Sequence, residues 1–261
     1  METLLNVGQR EIHEREQFVT KKMVIKIGSS TITGGEMHAD IKFMGDIARQ
    51  ISVLFHAGVE THLVTSGAVA SGKRDICGFD GNQTHRQLAS AAGQIRLMTF
   101  WQEAFSSFGV PVFQVLITPD SFEQNVLFLT SCKGYGIPII NANELLNTEE
   151  LDKLGICADN DRLAAHLARC VDADTVVFLT DTAVRDMNGN EVSSISPKDQ
   201  WQDIICFNGT SSLGTGGMAS KHNEALHLAE HGTRVHIGNG RDQYAILNSA
   251  KGLSFGTMYR L

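Results

Sequence analysis

Only four prolines, three tyrosines and two tryptophans occur among the 261 residues, and the five cysteines form no CxxC pair. Scarce proline leaves no proline-rich linker to separate independent domains. Cys77, Cys132, Cys157, Cys170 and Cys206 are odd in number and widely spaced. That pattern gives neither a disulfide framework nor a zinc site, and suits reduced thiols in a cytoplasmic protein. No apolar run is long enough to cross a bilayer. Residues Met1 to Lys22 mix charge with polarity, which excludes a signal peptide or membrane anchor and leaves an N-terminal extension, either helical or flexible and disordered, without chemistry. With a formal net charge of −7 and a pI near 5.8, the chain lacks the basic excess of a nucleic-acid-binding surface. Neither nucleic acid nor membrane is an expected partner.

What is present is a balanced composition, 42% hydrophobic and 20% charged, enough to bury a large core. From Met23 onward, short apolar runs alternate with helical patterns. The runs Met23–Ile27, Thr61–Thr65, Val110–Ile117, Ile137–Ile140, Thr175–Thr180 and Arg234–Ile237 read as buried strands. The longest helical pattern runs from about Thr84 to Phe108, with Leu88, Ala92, Ile95, Met98 or Thr99, and Gln102 near one face. Asn188-Gly189 signals a tight turn and a small hairpin after the fifth strand. This alternation predicts an α/β fold, a three-layer αβα sandwich with a mostly parallel central sheet. With no repeat and no low-complexity linker, residues 23–261 are expected to form one unit.

Four segments carry candidate chemistry. GTGGMASK, residues 214–221, joins a glycine turn to a helix start, where backbone N–H groups and the helix dipole favour a phosphate. Lys221 falls in the first helical turn, a costly place for a cation unless an anion is bound beside it. In KIGSS, from Lys26 to Ser30, a lysine ends a buried strand and so faces the crevice at the carboxyl edge of the sheet. Its burial is expensive without an anionic partner. VTSGA, from Val64 to Ala68, is a second strand end that opens into small residues. ADND, from Ala158 to Asp161, starts a helix carrying Leu163, Leu167 and Val171 on one face, and Asp159 there serves as an N-cap.

Three other patterns imitate known sites. Gly67 to Lys73 nearly spells a Walker A loop, but Arg74 occupies the hydroxyl position and the segment follows the second strand. Gly214 to Ala219 imitates a dinucleotide fingerprint without a preceding strand or a ribose-binding acid. His227-Leu-Ala-Glu230-His231 matches an inverted zinc-protease motif in letters only; histidines near a helix C-terminus are favoured by its dipole.

Taken in order, KIGSS, VTSGAVASG (64–72), QLASAAGQIRLMTFWQEAF (87–105), ADNDRLAA (158–165), LTD (179–181) and GTGGMASK resemble the amino acid kinase family, within it the branch acting on glutamate. The resemblance covers nearly everything from Met23 onward. It implies an ATP- and Mg2+-dependent kinase that phosphorylates the side-chain carboxylate of L-glutamate at the start of proline synthesis. It divides the chain at about residue 173 into an amino-acid lobe and a nucleotide lobe. Lys26 and Lys221 would neutralise the phosphoryl group in flight, with Asp161 holding them. Ser66, Gly67, Glu144 and Asn160 would contact the amino acid. Lys26, Thr180, Asp181, Thr215, Gly216, Gly217, Met218 and Lys221 would contact the nucleotide. Mg2+ would arrive with ATP, without direct protein ligands. Proline as feedback inhibitor and a homo-oligomer, dimer or tetramer, are also implied.

Such an inventory suits phosphoryl transfer, which relies on positioning and charge neutralisation. A carboxylate acceptor is ionised at neutral pH and needs no general base. Where the glutamate branch usually reads Asn-Glu-Asn-Asp, this chain reads Asn141-Ala142-Asn143-Glu144, one methylene longer at the acid. Asp120–Gly136 and the region around Asn188 look shorter than the family pattern. No function is expected through the C-terminal RNA-modification-type domain that many bacterial members carry. Sister branches acting on aspartate, N-acetylglutamate or UMP share the nucleotide half, and a silent amino-acid sensor would share the fold. QLASAAGQ and VTSGAVASG favour the glutamate branch, and Lys26, Asp161 and Lys221 together favour catalysis.

Overall fold

The computed structural model describes residues 18–36, 39–145, 159–201, 205, 207 and 217–261. Strands β1 (Lys22–Ile27), β2 (Glu60–Thr65), β3 (Val112–Ile117), β4 (Ile137–Ala142), β5 (Thr175–Thr180), β6 (Ser194–Ile195), β7 (Arg234–Asn239) and β8 (Thr257–Tyr259) form one sheet in the order β3-β4-β2-β1-β5-β7-β8-β6. All pairings are parallel except β7 with β8. The six expected strands are present. The two short ones, β6 and β8, have too few residues for a readable period.

Helices α1 (Ser29–Thr33), α2 (Ile41–His56), α3 (Ala68–Gly72), α4 (Gln83–Ser106), α5 (Phe122–Ser131), α6 (Asn160–Cys170), α7 (Met218–Glu230) and α8 (Ala245–Ala250) cover the sheet. Strand alternation sends β1 residues Met23, Ile25 and Ile27 into a core shared with α2, α4 and α8. Val24 goes to the opposite core, shared with α5, α6 and α7. Successive strand side chains face opposite sides, so each face buries its own helices and the three-layer sandwich follows. The same alternation puts Lys26 on the α6–α7 face at the carboxyl end of β1.

The long helix is present over Gln83–Ser106, but its buried face is not the expected one. Ala89, Gly93, Leu97, Trp101 and Phe105 point inward, while Leu88 and Ile95 are 50% and 74% exposed. The inward face contains small and polar residues because α3 lies directly on it. A Cβ on Gly93 would stand 1.9 Å from the Ala68 carbonyl oxygen, and one on Gly72 would stand 2.0 Å from that of Ala89. Backbone-to-backbone contact of this kind hides from a hydrophobic count. The expected hairpin forms around Gly189 (φ 84°), bridged by Arg185 and Glu191.

Candidate active site

The carboxyl ends of β1, β2 and β5 open into a cavity of about 540 Å³, a size suited to a small-molecule site. Three glycines there, Gly28, Gly67 and Gly217, are the N-caps of α1, α3 and α7, and no side chain among the described residues caps these ends. Uncapped N–H groups at helix starts are donors awaiting an anion. Gly67 holds φ 108°, a left-handed value that turns the chain sharply from β2 into α3 and that side chains resist. Because Gly67 caps α3, Ala68–Gly72 is helix and Lys73 opens a 3-10 turn, this segment is not a phosphate-wrapping loop, and the Walker A resemblance does not correspond to a Walker structure.

Asp161 lies at the centre. Its Oδ1 is 2.5 Å from Lys26 Nζ and its Oδ2 2.8 Å from Lys221 Nζ. Relative exposures of 0% for Asp161, 5% for Lys26 and 8% for Lys221 place all three charges out of bulk water. Burial pushes the Asp161 carboxyl up, yet Lys26 and Lys221 outweigh it and hold the group below the ordinary carboxylate range. Two ammonium groups share one carboxylate, so the cluster carries one excess positive charge in a shielded place. An anion between the lysines is the natural complement. Asp159 orders the start of α6: its side chain accepts from the Asp161 backbone N–H at 2.9 Å and from Ser220 Oγ at 3.2 Å. It therefore ties α6 to α7, the helix that carries Lys221.

A polar chain runs from this cluster toward α4. Asn160 Nδ2 donates to Ser66 Oγ at 2.8 Å and to Asn141 Oδ1 at 3.2 Å, and Asn141 Nδ2 donates to Gln94 Oε1 at 3.2 Å. Asn160 Oδ1 is buried without a partner among the described residues. Glu144 also lines the cavity. Burial raises its carboxyl pKa, partly offset by a hydrogen bond from Ser90 and by the charge of Arg86.

On the other side, Thr180, Asp181, Thr182, Gly217 and Met218 line the cavity with Glu36 and the α1 turn. Thr31 Oγ1 donates to Asp181 Oδ1 at 3.3 Å, and the Thr180 hydroxyl donates to Thr182 O at 2.5 Å. Behind Lys221, His222 Nδ1 pairs with Tyr259 Oη at 2.7 Å. Burial lowers the His222 pKa to about 4, so its ring is neutral near pH 7.

Lys26, Ser66, Gly67, Glu144, Asn160, Thr180, Asp181, Gly217, Met218 and Lys221 thus meet at one cavity, with Asp161 beneath its lysines. Thr215 and Gly216 lie outside the described residues, as does most of the N-terminal extension. Asn141, Gln94, Thr31, Lys73 and Arg86 were missed as site residues. Asn141, Gln94 and Lys73 stand within segments already singled out, and no isolated residue pattern distinguishes Thr31 or Arg86. His227, Glu230 and His231 do place ligand atoms within 4.8 Å of one another. All three are exposed at the end of α7, where His231 Nδ1 is bonded to the His227 carbonyl oxygen at 2.8 Å.

Comparison with known proteins agrees with this geometry. The amino acid kinase family matches residues 21–239. Glutamate 5-kinase of Shewanella halifaxensis is 32% identical over 256 residues, covering 92% of this chain and 68% of that protein. Glutamate 5-kinase of Thermus thermophilus is 33% identical over 253 residues, covering 92% and 67%. A buried lysine pair around one aspartate, uncapped helix starts facing a cavity and a match through seven of the eight described strands lead to one conclusion: the chain is a kinase of the amino acid kinase family.

Proposed function

We propose that the protein transfers the γ-phosphoryl group of ATP to the side-chain carboxylate of L-glutamate, giving L-glutamyl 5-phosphate for proline synthesis. The observation that carries this reading is the Lys26–Asp161–Lys221 cluster, with its excess positive charge between a nucleotide half and an amino-acid half of one cavity. The acceptor carboxylate oxygen forms a bond to the γ-phosphorus as the bond to the ADP oxygen breaks. Lys26 and Lys221 neutralise the equatorial oxygens through this change, and Asp161 holds both ammonium groups in place. The N–H groups of Gly217 and Met218 cradle the phosphates, and Thr180 and Asp181 border the nucleotide. Ser66, Gly67 and Asn160 orient the acceptor.

Mg2+ suits the nucleotide half, where Asp159, Asp181 and Glu36 offer hard oxygen donors. Bound with ATP, it supplies further charge neutralisation on the phosphates. Glu144 faces the acceptor ammonium.

The test is ATP consumption with Mg2+ and hydroxylamine across L-glutamate, L-aspartate, N-acetylglutamate and UMP. Hydroxamate from glutamate alone is expected; turnover with a different acceptor, or none, overturns the assignment. Feedback inhibition by proline, a dimeric or tetrameric assembly and a cytoplasmic location belong to the same proposal. Inhibition at millimolar proline and a multiple of the chain mass in light scattering are the expected results.

A further inference from the structure

Once the lysine pair holds the carboxylate that reacts, an amino-acid acceptor still presents an ammonium and a second carboxylate. The far end of the cavity is lined by Glu144, Arg86, Lys73 and Phe79. Oε2 of Glu144 is buried with no hydrogen-bond partner among the described residues, and a shielded carboxylate oxygen of this kind calls for a cationic ligand group.

Arg86 occupies the fourth position of α4, whose first turn is capped by Asn82 accepting from the His85 N–H at 2.8 Å. A cation so close to the positive end of a 24-residue helix is opposed by the dipole. Its charge reaches Glu144 through space, yet no salt bridge engages it among the described residues. The neighbouring acids are engaged elsewhere, Asp80 with His85 at 2.8 Å and Asp75 with Arg96 at 2.9 Å. The same Asp75–Arg96 pair, with Arg96 also donating to the Ser71 carbonyl, fixes the short turn that carries Lys73. Gln87 Nε2 donates to Leu145 O at 2.7 Å and ties the start of α4 to the segment bearing Glu144.

We propose that Arg86, with Lys73 lining the same end of the cavity, binds the α-carboxylate of the acceptor and restricts the enzyme to free α-amino acids. Glu144 takes the ammonium, the guanidinium takes the adjoining carboxylate, and the side-chain carboxylate is left to extend toward Lys26 and Lys221. This deepens the proposed function and rests on it. Arg86 is therefore a specificity-determining residue.

The experiment compares wild type with Arg86→Ala on L-glutamate and on 4-aminobutyrate, which keeps the amine and the reacting carboxylate but lacks the α-carboxylate. Both compounds are assayed as hydroxamate-forming acceptors and as competitors. For Arg86→Ala, KM for glutamate should rise on the order of 10- to 100-fold, the value of a lost charge-assisted contact. The KM for ATP and the parameters for 4-aminobutyrate should stay unchanged, so the preference for glutamate collapses. Arg86 is exposed, and an unchanged melting midpoint is expected to confirm folding. Equal losses on both compounds, or an unchanged glutamate KM, overturn the proposal while leaving the glutamate assignment intact. Absence of hydroxamate from glutamate with wild type overturns the assignment and the proposal together.

Discussion

Asp161 has no exposed surface and touches two ammonium groups. Asp161→Asn would leave both lysines under-compensated, a change that typically costs about 3–5 kcal/mol for a broken buried pair. A lower thermal midpoint and a large fall in kcat are expected together, measured by calorimetry and by the hydroxamate assay. Since its pKa is held below the ordinary range, its stabilising contribution is present above the unfolded-state value and is lost only as pH falls through the lower folded value. The cluster therefore stays intact across the neutral range. Glu144 has the opposite sign. Its folded pKa is raised by burial, so the unfolded chain ionises it more readily and stability is lost as pH rises through the unfolded and then the folded value. Glu144→Gln should raise the apo melting midpoint at pH 7 and raise KM for the amino acid, leaving KM for ATP unchanged. A lower midpoint would show that Glu144 is a net stabilising charge in the empty site.

At the scale of elements, α3 lying on α4 sets the position of Gly67. Gly93→Ala places a methyl carbon 1.9 Å from the Ala68 carbonyl oxygen, so α3 must move away. The expected outcome is a protein several degrees less stable with a raised KM for the amino acid, checked by melting and by steady-state kinetics. Asn82→Ala removes an N-cap and is expected to cost about 1 kcal/mol and to loosen the turn bearing Arg86. These two elements also show what the sequence made legible. Buried strands such as Thr175–Thr180 were readable because both faces are covered and the apolar run is continuous. The face of α4 was misread because glycine, serine and glutamine line its inner side, and Leu88 and Ile95 its outer side. Lys26, Asp161 and Lys221 were legible through their motifs. The chain from Ser66 through Asn160 and Asn141 to Gln94 was not, since it joins four segments by hydrogen bonds that leave no spacing signal.

For the whole molecule, the cavity draws on β1, β5, α1, α3, α4, α6 and α7 and on the turn after β2. A ligand that spans these elements stabilises the native state by mass action, about 2.7 kcal/mol at a hundredfold excess over its Kd. MgATP should raise the melting midpoint of wild type and do so far less in Lys221→Ala; an equal rise in both would place the nucleotide elsewhere. Lys26 belongs to the first strand and Lys221 to the penultimate helix, and they meet on an aspartate that lies between them in sequence. Loop closure over such separations comes late in folding. During synthesis, then, no kinase activity should be detectable on a ribosome-held chain until α7 has cleared the exit tunnel. The first phosphoryl transfer would report the completion of the sheet from β1 through β5, and a growing chain has no partial version of the enzyme to release.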